Sequence, residues 1–267
     1  MGGAEPESVD VDRLPGWVTL LRAPNPGPMT LDGTNTWILR VPGEPVAAVI
    51  DPGPLDEGHL RRIAEHGPVG HILITHGHHD HVEGAARLAE LLGGIPVLAG
   101  DALDAGRPLT GNGLEIQVLK TPGHTSDSVC FLVEHEDDRV MFTGDTILGR
   151  GTTVVARPDG DLRDYLGSLE LLTAYPGVLM LPGHGPARDD TAERAHFYLG
   201  HRRERLAQVE AAMAAGADTP AAVVDLVYPD IDPGVRFAAE WSAAAQLDYL
   251  RARDRESATG PGRLDRP

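Results

Sequence analysis

The 267-residue chain contains one cysteine, Cys130, and one lysine, Lys120. A single thiol excludes a disulfide framework within the chain and any zinc site built from several cysteines. Aromatic residues make up only 4%, so aliphatic side chains must fill most of the core. Long hydrophobic runs are missing as well. Gly, Pro or charge interrupts each apolar stretch within about a dozen residues, short of the roughly 20 needed to span a bilayer. The first residues are acidic and lack the apolar segment of a secretory signal. The sequence therefore predicts a soluble, cytoplasmic protein with no membrane partner. Positive charge is also scarce: 23 Lys+Arg against 40 Asp+Glu leave a formal net charge of -17. That balance disfavours gratuitous nucleic-acid binding, although bound divalent cations would reverse the sign locally.

The rest is ordinary globular composition, 41% hydrophobic and 24% charged. Short apolar runs predict strands at 17–21, 36–41, 47–51, 70–74, 94–98, 114–119, 128–133, 139–142 and 178–181. Helical periods interleave at 56–65, 81–92 and 162–173. From about residue 190 the texture is helical only, with segments at 191–213, 219–227 and 235–253. The last of these carries an apolar stripe through Val235, Ala238, Trp241, Ala245 and Leu250. The expected organisation is an α/β catalytic domain over 1–200, a small helical module over 201–256 and a disordered tail over 257–267.

Chemistry concentrates where strands end. Four of the 12 histidines fall within Thr75-His76-Gly77-His78-His79-Asp80-His81, directly after a predicted buried strand. An extended or turning segment points His76 and His78 the same way, and the turn delivers Asp80 and His81 from the next helix. Imidazoles beside a carboxylate suit Zn²⁺, with Mn²⁺ or Fe²⁺ as alternatives. Three more polar singletons recur on glycine-supported loops after strands: His124 in Thr121-Pro122-Gly123-His124-Thr125, Asp145 in Thr143-Gly144-Asp145-Thr146, and His184 in Pro182-Gly183-His184-Gly185. Five histidines and two aspartates suffice for two divalent metal ions. Asp51, closing the Ile50-Asp51-Pro52-Gly53 turn, either holds the far ring nitrogen of a ligand histidine or is a turn residue. Thr34 and Asn35 either face the metals or shape a hairpin loop. Cys130 lies inside a predicted strand and reads as a small core residue.

The order H-x-H-x-D-H, TPGHT, TGDT and PGHG resembles the metallo-β-lactamase superfamily over most of 15–200. Asn25-Pro26-Gly27-Pro28, Gly33-Thr34-Asn35-Thr36, Leu148-Gly149-Arg150-Gly151-Thr152-Thr153 and His201-Arg202-Arg203 are similar to its lactamase-β-like protein 2 branch. The resemblance implies an αβ/βα sandwich with a winged-helix-like C-terminal module and the metals at one sheet edge. It also implies one metal on His76, His78 and His124, a second on Asp80, His81 and His184, and Asp145 as the bridge. The implied activity is hydrolysis by a metal-bridging hydroxide, with Asp80 both a ligand and the proton-accepting or orienting catalytic group. The branch suggests single-stranded RNA as substrate; a thioester, small ester or lactone, as in glyoxalase-II-type enzymes, is the alternative. β-Lactam hydrolysis fits less well, because an aspartate stands where zinc β-lactamases of the major subclass place cysteine. A non-catalytic binding module fits less well still, since no ligand is lost. Arg202, Arg203, Arg205, Arg251, Arg253 and Arg255 form either a basic rim or solvated helix faces. The oligomeric state is left open.

Overall fold

Period-two alternation over the first two-thirds of the chain builds two sheets, which a computed structural model describes for residues 8–9 and 14–258. In chain order the first elements are β1 (Ser8–Val9), β2 (Val18–Arg22), β3 (Asn35–Leu39), β4 (Ala47–Ile50), α1 (Glu57–Ala64), β5 (Val69–Leu73), α2 (His79–Val82), α3 (Ala85–Leu91) and β6 (Val97–Leu98). There follow β7 (Leu109–Gly111), β8 (Leu114–Lys120), β9 (Val129–His135), β10 (Asp138–Gly144), α4 (Leu162–Leu172), β11 (Leu179–Pro182) and β12 (Ala187–Arg188). Helices α5 (Thr191–Ala214), α6 (Pro220–Val227) and α7 (Arg236–Ala258) complete it. One sheet runs β2-β3-β4-β5-β6 and the other β1-β12-β11-β10-β9-β8-β7. Both are mixed, with β4–β5, β5–β6 and β10–β11 parallel.

Alternate residues of each strand serve different layers, as the pleat requires. Trp37, Leu39 and Ile50 of the first sheet meet Val129, Phe131, Val133 and Phe142 of the second in a shared inner core. The residues between them face outward: Ile38 and Val49 pack under α1 and α3, while Cys130, Leu132 and Met141 pack under α4, α5 and α7. The result is an αβ/βα sandwich, helix on sheet on sheet on helix. Cys130 is fully buried and its thiol is pushed up to about 11 by that burial, as suits a core residue.

The expected helix at 81–92 is two helices. The ladder breaks at Gly84, whose N–H donates to the Gly53 carbonyl (2.9 Å), and only glycine fits so close an approach: a Cβ would sit 2.8 Å from Leu60 Cδ2 and 2.9 Å from the Pro54 carbonyl. The short strands β1, β7 and β12 carry too little alternation to be read from sequence. The C-terminal part is three helices, with no strand after β12 among the described residues, so the winged-helix-like expectation has no wing there. Helix α5 runs unbroken through residue 200, where the domain boundary was expected. The tail expected at 257–267 begins inside α7, and residues 259–267 lie outside the described residues. Trp241, expected on the apolar stripe, is 50% exposed and meets Phe237 edge-on.

Candidate metal centre

Strands β4, β5, β8, β10 and β11 all end at the same edge of the sandwich, and each hands its chain to a polar loop. Asp51 follows β4, His76 follows β5, His124 follows β8, Asp145 follows β10 and His184 follows β11. His78 is the extended residue capping α2, which supplies Asp80 and His81. Backbone bonds stitch the two sheets together here: Asn35 N–H donates to the Gly183 carbonyl (2.7 Å) and Val129 N–H to the Thr75 carbonyl (2.9 Å).

All seven residues expected as ligands come together. The donor atoms of His76, His78 and His124 lie within 4.8 Å of one another, as do those of Asp80, His81 and His184. Asp145 groups with His76 and His81, one residue from each set. Its carboxylate lies 3.8 Å from His124 Nε2 and 3.4 Å from His184 Nε2. His78 Nδ1 is 3.1 Å from His76 Nε2 and 3.0 Å from His124 Nε2, and the Nε2 atoms of His81 and His184 are 3.2 Å apart.

The outer ring nitrogens explain why those inner atoms face one another. His124 Nδ1 lies 2.8 Å from the Val154 carbonyl and His184 Nδ1 lies 3.3 Å from the Gly33 carbonyl. A carbonyl only accepts, so each Nδ1 carries a proton. His81 Nδ1 donates to Asp51 Oδ2 (2.8 Å). The Thr75 hydroxyl donates to the same Asp51 oxygen (2.6 Å) and so accepts from His76 Nδ1 (3.0 Å). With the outer nitrogens protonated, neutral rings turn lone pairs inward, where only a cation or a proton relieves them. Asp145 Oδ1 is buried there with no hydrogen-bond partner. This donor set fits divalent metal ions.

The protonation behaviour of the bare site follows the same geometry. Burial pushes His76 and His124 down. Burial opposes charge on His81 too, but Asp145 and Asp51 override it and raise that ring well above its usual value. His184 likewise overcomes its burial through Asp145 and Asp80 and rises to about 9. Burial works against the Asp145 carboxylate, yet His184 and His81 hold it well below the usual range. Asp80 is also held low, its burial outweighed by the His184 hydrogen bond and the charge of His81.

The residues left open between site and turn also fall at the centre. Asp51 Oδ1 accepts from Thr75 N–H (2.8 Å) while Oδ2 serves Thr75 and His81, so one carboxylate orients two ring-bearing segments. The Thr34 hydroxyl donates to Asp80 Oδ2 (3.2 Å) and accepts from Asn25 Nδ2 (3.0 Å). Asn35 turns away and donates to the Pro182 and Gly185 carbonyls, bracing the loop of His184. His79 is exposed.

Sequence reasoning missed several supports. His59 lies outside every motif, yet it is buried and lies 2.9 Å from the Thr36 hydroxyl, which itself donates to the Asp51 carbonyl. Arg188, Arg194 and Arg202 are buried and donate to the Gly149, Leu148 and Thr153 carbonyls of the loop after Asp145. The arginines left open between a basic rim and solvated helix faces do not assemble as a rim. Arg202 is 3% exposed, Arg251 donates to the Asp218 carbonyl and Arg253 pairs with Glu210.

These features have counterparts among known proteins. The family model of the metallo-beta-lactamase superfamily matches residues 29–118 and 100–184. The chain belongs to that superfamily and is a hydrolase of its kind. It is 31% identical over 250 residues to the beta-lactamase-like protein 2 homolog of Caenorhabditis elegans, covering 86% of this chain and 82% of that protein. It is 30% identical over 288 residues to an atrochrysone carboxyl ACP thioesterase of Aspergillus fumigatus, covering 96% of this chain and 86% of the relative. The fold is shared with a metallo-beta-lactamase family protein from Thermus thermophilus, at TM-score 0.72 and 24% identity over 89% and 94% of the two chains. It is also shared with a beta-lactamase domain protein from Burkholderia ambifaria, at TM-score 0.75 and 22% identity over 94% and 91%.

Proposed function

We propose that the protein is a dinuclear metallohydrolase of thioesters or small esters. The observation that carries the metal reading is the inward convergence of imidazole nitrogens whose outer nitrogens are already committed. His76, His78 and His124 would hold one divalent ion and Asp80, His81 and His184 the other, with Asp145 available to both; zinc would suit the donors best, with manganese or iron as alternatives. When bound, such ions polarise a scissile carbonyl and acidify water.

The chain's own residues do the rest. Asp51 and Thr75 fix the tautomers of His81 and His76, and the Val154 carbonyl fixes His124. Among the acidic ligands Asp80 is the more open, with its side chain 27% exposed against 11% for Asp145. It is ionised at neutral pH, and Thr34 holds its Oδ2. It is therefore placed to accept a proton from the attacking water and to orient it.

Two observations favour a thioester or small ester over RNA: the relative whose name states a thioesterase, and a cleft beside the site walled largely by apolar side chains. Single-stranded RNA has less support, because the exposed arginines that would follow a phosphate backbone are dispersed or engaged by acidic partners. The test is metal-verified protein against a panel of thioesters and esters, with a fluorescent single-stranded RNA in parallel. Two metal ions per chain are expected by elemental analysis, together with thioester or ester hydrolysis that falls by at least about 100-fold in Asp80→Ala and is lost in His124→Ala. RNA cleavage abolished by both substitutions, without ester or thioester turnover, would reverse the substrate reading.

A further inference from the structure

Between the C-terminal helices and the loop after Asp145 lies a cleft of about 290 Å³. Met29, Tyr228, Ile231 and Val235 give it apolar walls, and Arg202 and Arg205 enter the same lining. Among the described residues no Asp or Glu lines it, in a chain with 40 acidic residues. Neither guanidinium has a carboxylate partner among the described residues. Arg205 stands 4.6 Å above the Tyr228 ring and donates to His201 Nε2 (3.3 Å) and Gln208 Oε1 (2.8 Å). Arg202 lies 5.1 Å over the Tyr165 ring and donates to the Thr153 carbonyl, and its Nε is buried with no partner. Burial and these two cations hold His201 at about 4, so it stays neutral and offers no positive charge of its own.

Two chain segments that wall the cleft also support the metal centre. Its wall at Thr153 and Val154 is the segment whose hydroxyl donates to the Asp145 carbonyl and whose carbonyl faces His124 Nδ1. Met29 belongs to the loop whose Asn25 holds Thr34 against Asp80.

We propose that this cleft binds a substrate arm that combines an apolar body with an oxyanion, and that Arg205 is the residue that selects the anion. A buried or half-buried guanidinium without a counter-charge is electrostatically costly, and an incoming carboxylate or phosphate supplies the missing partner with charge-assisted hydrogen bonds. The aromatic and aliphatic walls receive the rest of the arm. The inference rests on the thioester reading for its substrate. Two parts of a thioester bring such an anion: a carboxylate on the acyl group, or the phosphate of a phosphopantetheine carrier.

Binding is read first, on the metal-loaded protein, by calorimetric titration with naphthalene-2-sulfonate and with neutral 2-naphthalenemethanol. The sulfonate is expected to bind at least about tenfold tighter, a factor worth about 1.4 kcal/mol. Arg205→Gln should reduce that preference to within about threefold, Arg205→Lys should restore part of it, and Arg139→Gln, at the exposed start of β10 and outside the cleft lining, serves as the charge control. Equal binding of the two probes, or a preference untouched in Arg205→Gln, overturns the proposal. Circular dichroism of each variant separates this outcome from misfolding.

The source of the anion is read by KM on two matched pairs. Glutaryl-N-acetylcysteamine against its methyl ester tests the acyl carboxylate, and butyryl phosphopantetheine against butyryl pantetheine tests the phosphate. An Arg205-dependent KM difference in either pair assigns that source. Turnover with no Arg205 dependence in either pair shows that the cleft is not a substrate subsite, and the proposal falls. Absence of thioester turnover with both metals in place defeats the function proposed above, and the sulfonate titration then decides the cleft by itself.

Discussion

Asp51 has a φ of 50°, the left-handed region that Asp and Asn tolerate better than other side-chain-bearing residues. Asp51→Asn therefore keeps the turn but removes the carboxylate that serves Thr75 and His81 together. Metal affinity is expected to fall about 10–100-fold, read by metal retention against a graded chelator, with the melting profile of the metal-free protein little changed. A variant that holds its metals as tightly as the parent would remove Asp51 from the orienting network. His59 makes a separate prediction. Its burial, helped by the charge of Arg62, lowers it to about 4 from 6.5. Between those values the unfolded chain binds the proton and the folded one does not. Stability from this residue is thus present above about pH 6.5 and is lost as pH falls toward 4, with a slope approaching about 1.4 kcal/mol per pH unit. In denaturant titrations from pH 7 to 4, His59→Gln should flatten the acid limb relative to the parent; identical slopes would sink the idea. Asp51 was readable from sequence as a strand-ending acid beside a proline and glycine. Its partners Thr75 and His81 stand 24 and 30 positions away, so nothing local said which of its two roles it plays.

Helix α4 begins where Asp161 caps it, accepting from Arg163 and Asp164 N–H, and the same residue's own N–H donates to the Gly123 carbonyl. That contact docks the helix start on the loop of His124. Gly123 has φ 130°, and a Cβ there would meet Tyr165 N and Cα at 2.3 Å. Gly123→Ala must push the helix off or twist the loop. We expect a loss of about 1–3 kcal/mol, seen as a lower denaturation midpoint, and weaker metal retention because His124 moves with it. A midpoint equal to that of the parent would show that the helix yields freely. Element existence was largely legible from sequence: the longer strands and the helices arise where alternation or 3.6-residue periodicity is expected. The exceptions have physical causes. The helical pattern is interrupted where the Gly84 N–H turns to the Gly53 carbonyl, 31 positions back, and β12 is two residues that pair only because β11 and β1 lie beside it.

At the scale of the molecule, the C-terminal helices belong to the sandwich as well as to one another. Tyr198 of α5 accepts from Leu148 N–H, and Ala245 of α7 joins the core under the seven-stranded sheet. Val209, Val223, Leu247 and Leu250 form a separate cluster among α5, α6 and α7. A chain ended at residue 217 would expose that cluster and remove two walls of the Arg205 cleft. It should melt more than about 5 °C below the parent and bind a hydrophobic dye. A truncated chain as stable as the parent would make the last helices dispensable to the fold.

The sequence by itself determined which His and Asp side chains converge at the strand ends, and the alternation of the two sheets. The residues of H-x-H-x-D-H lie within a few positions of one another, and a strand's two faces are written in every second residue. Only the tertiary structure decided which nitrogen each histidine turns inward, which arginines are buried and where an uncompensated guanidinium meets an apolar wall. Those depend on groups tens of residues apart. Arg202 looks like any helix-surface arginine until Tyr165 and the Thr153 carbonyl close over it, because burial and unpaired charge are properties of packing and not of local order.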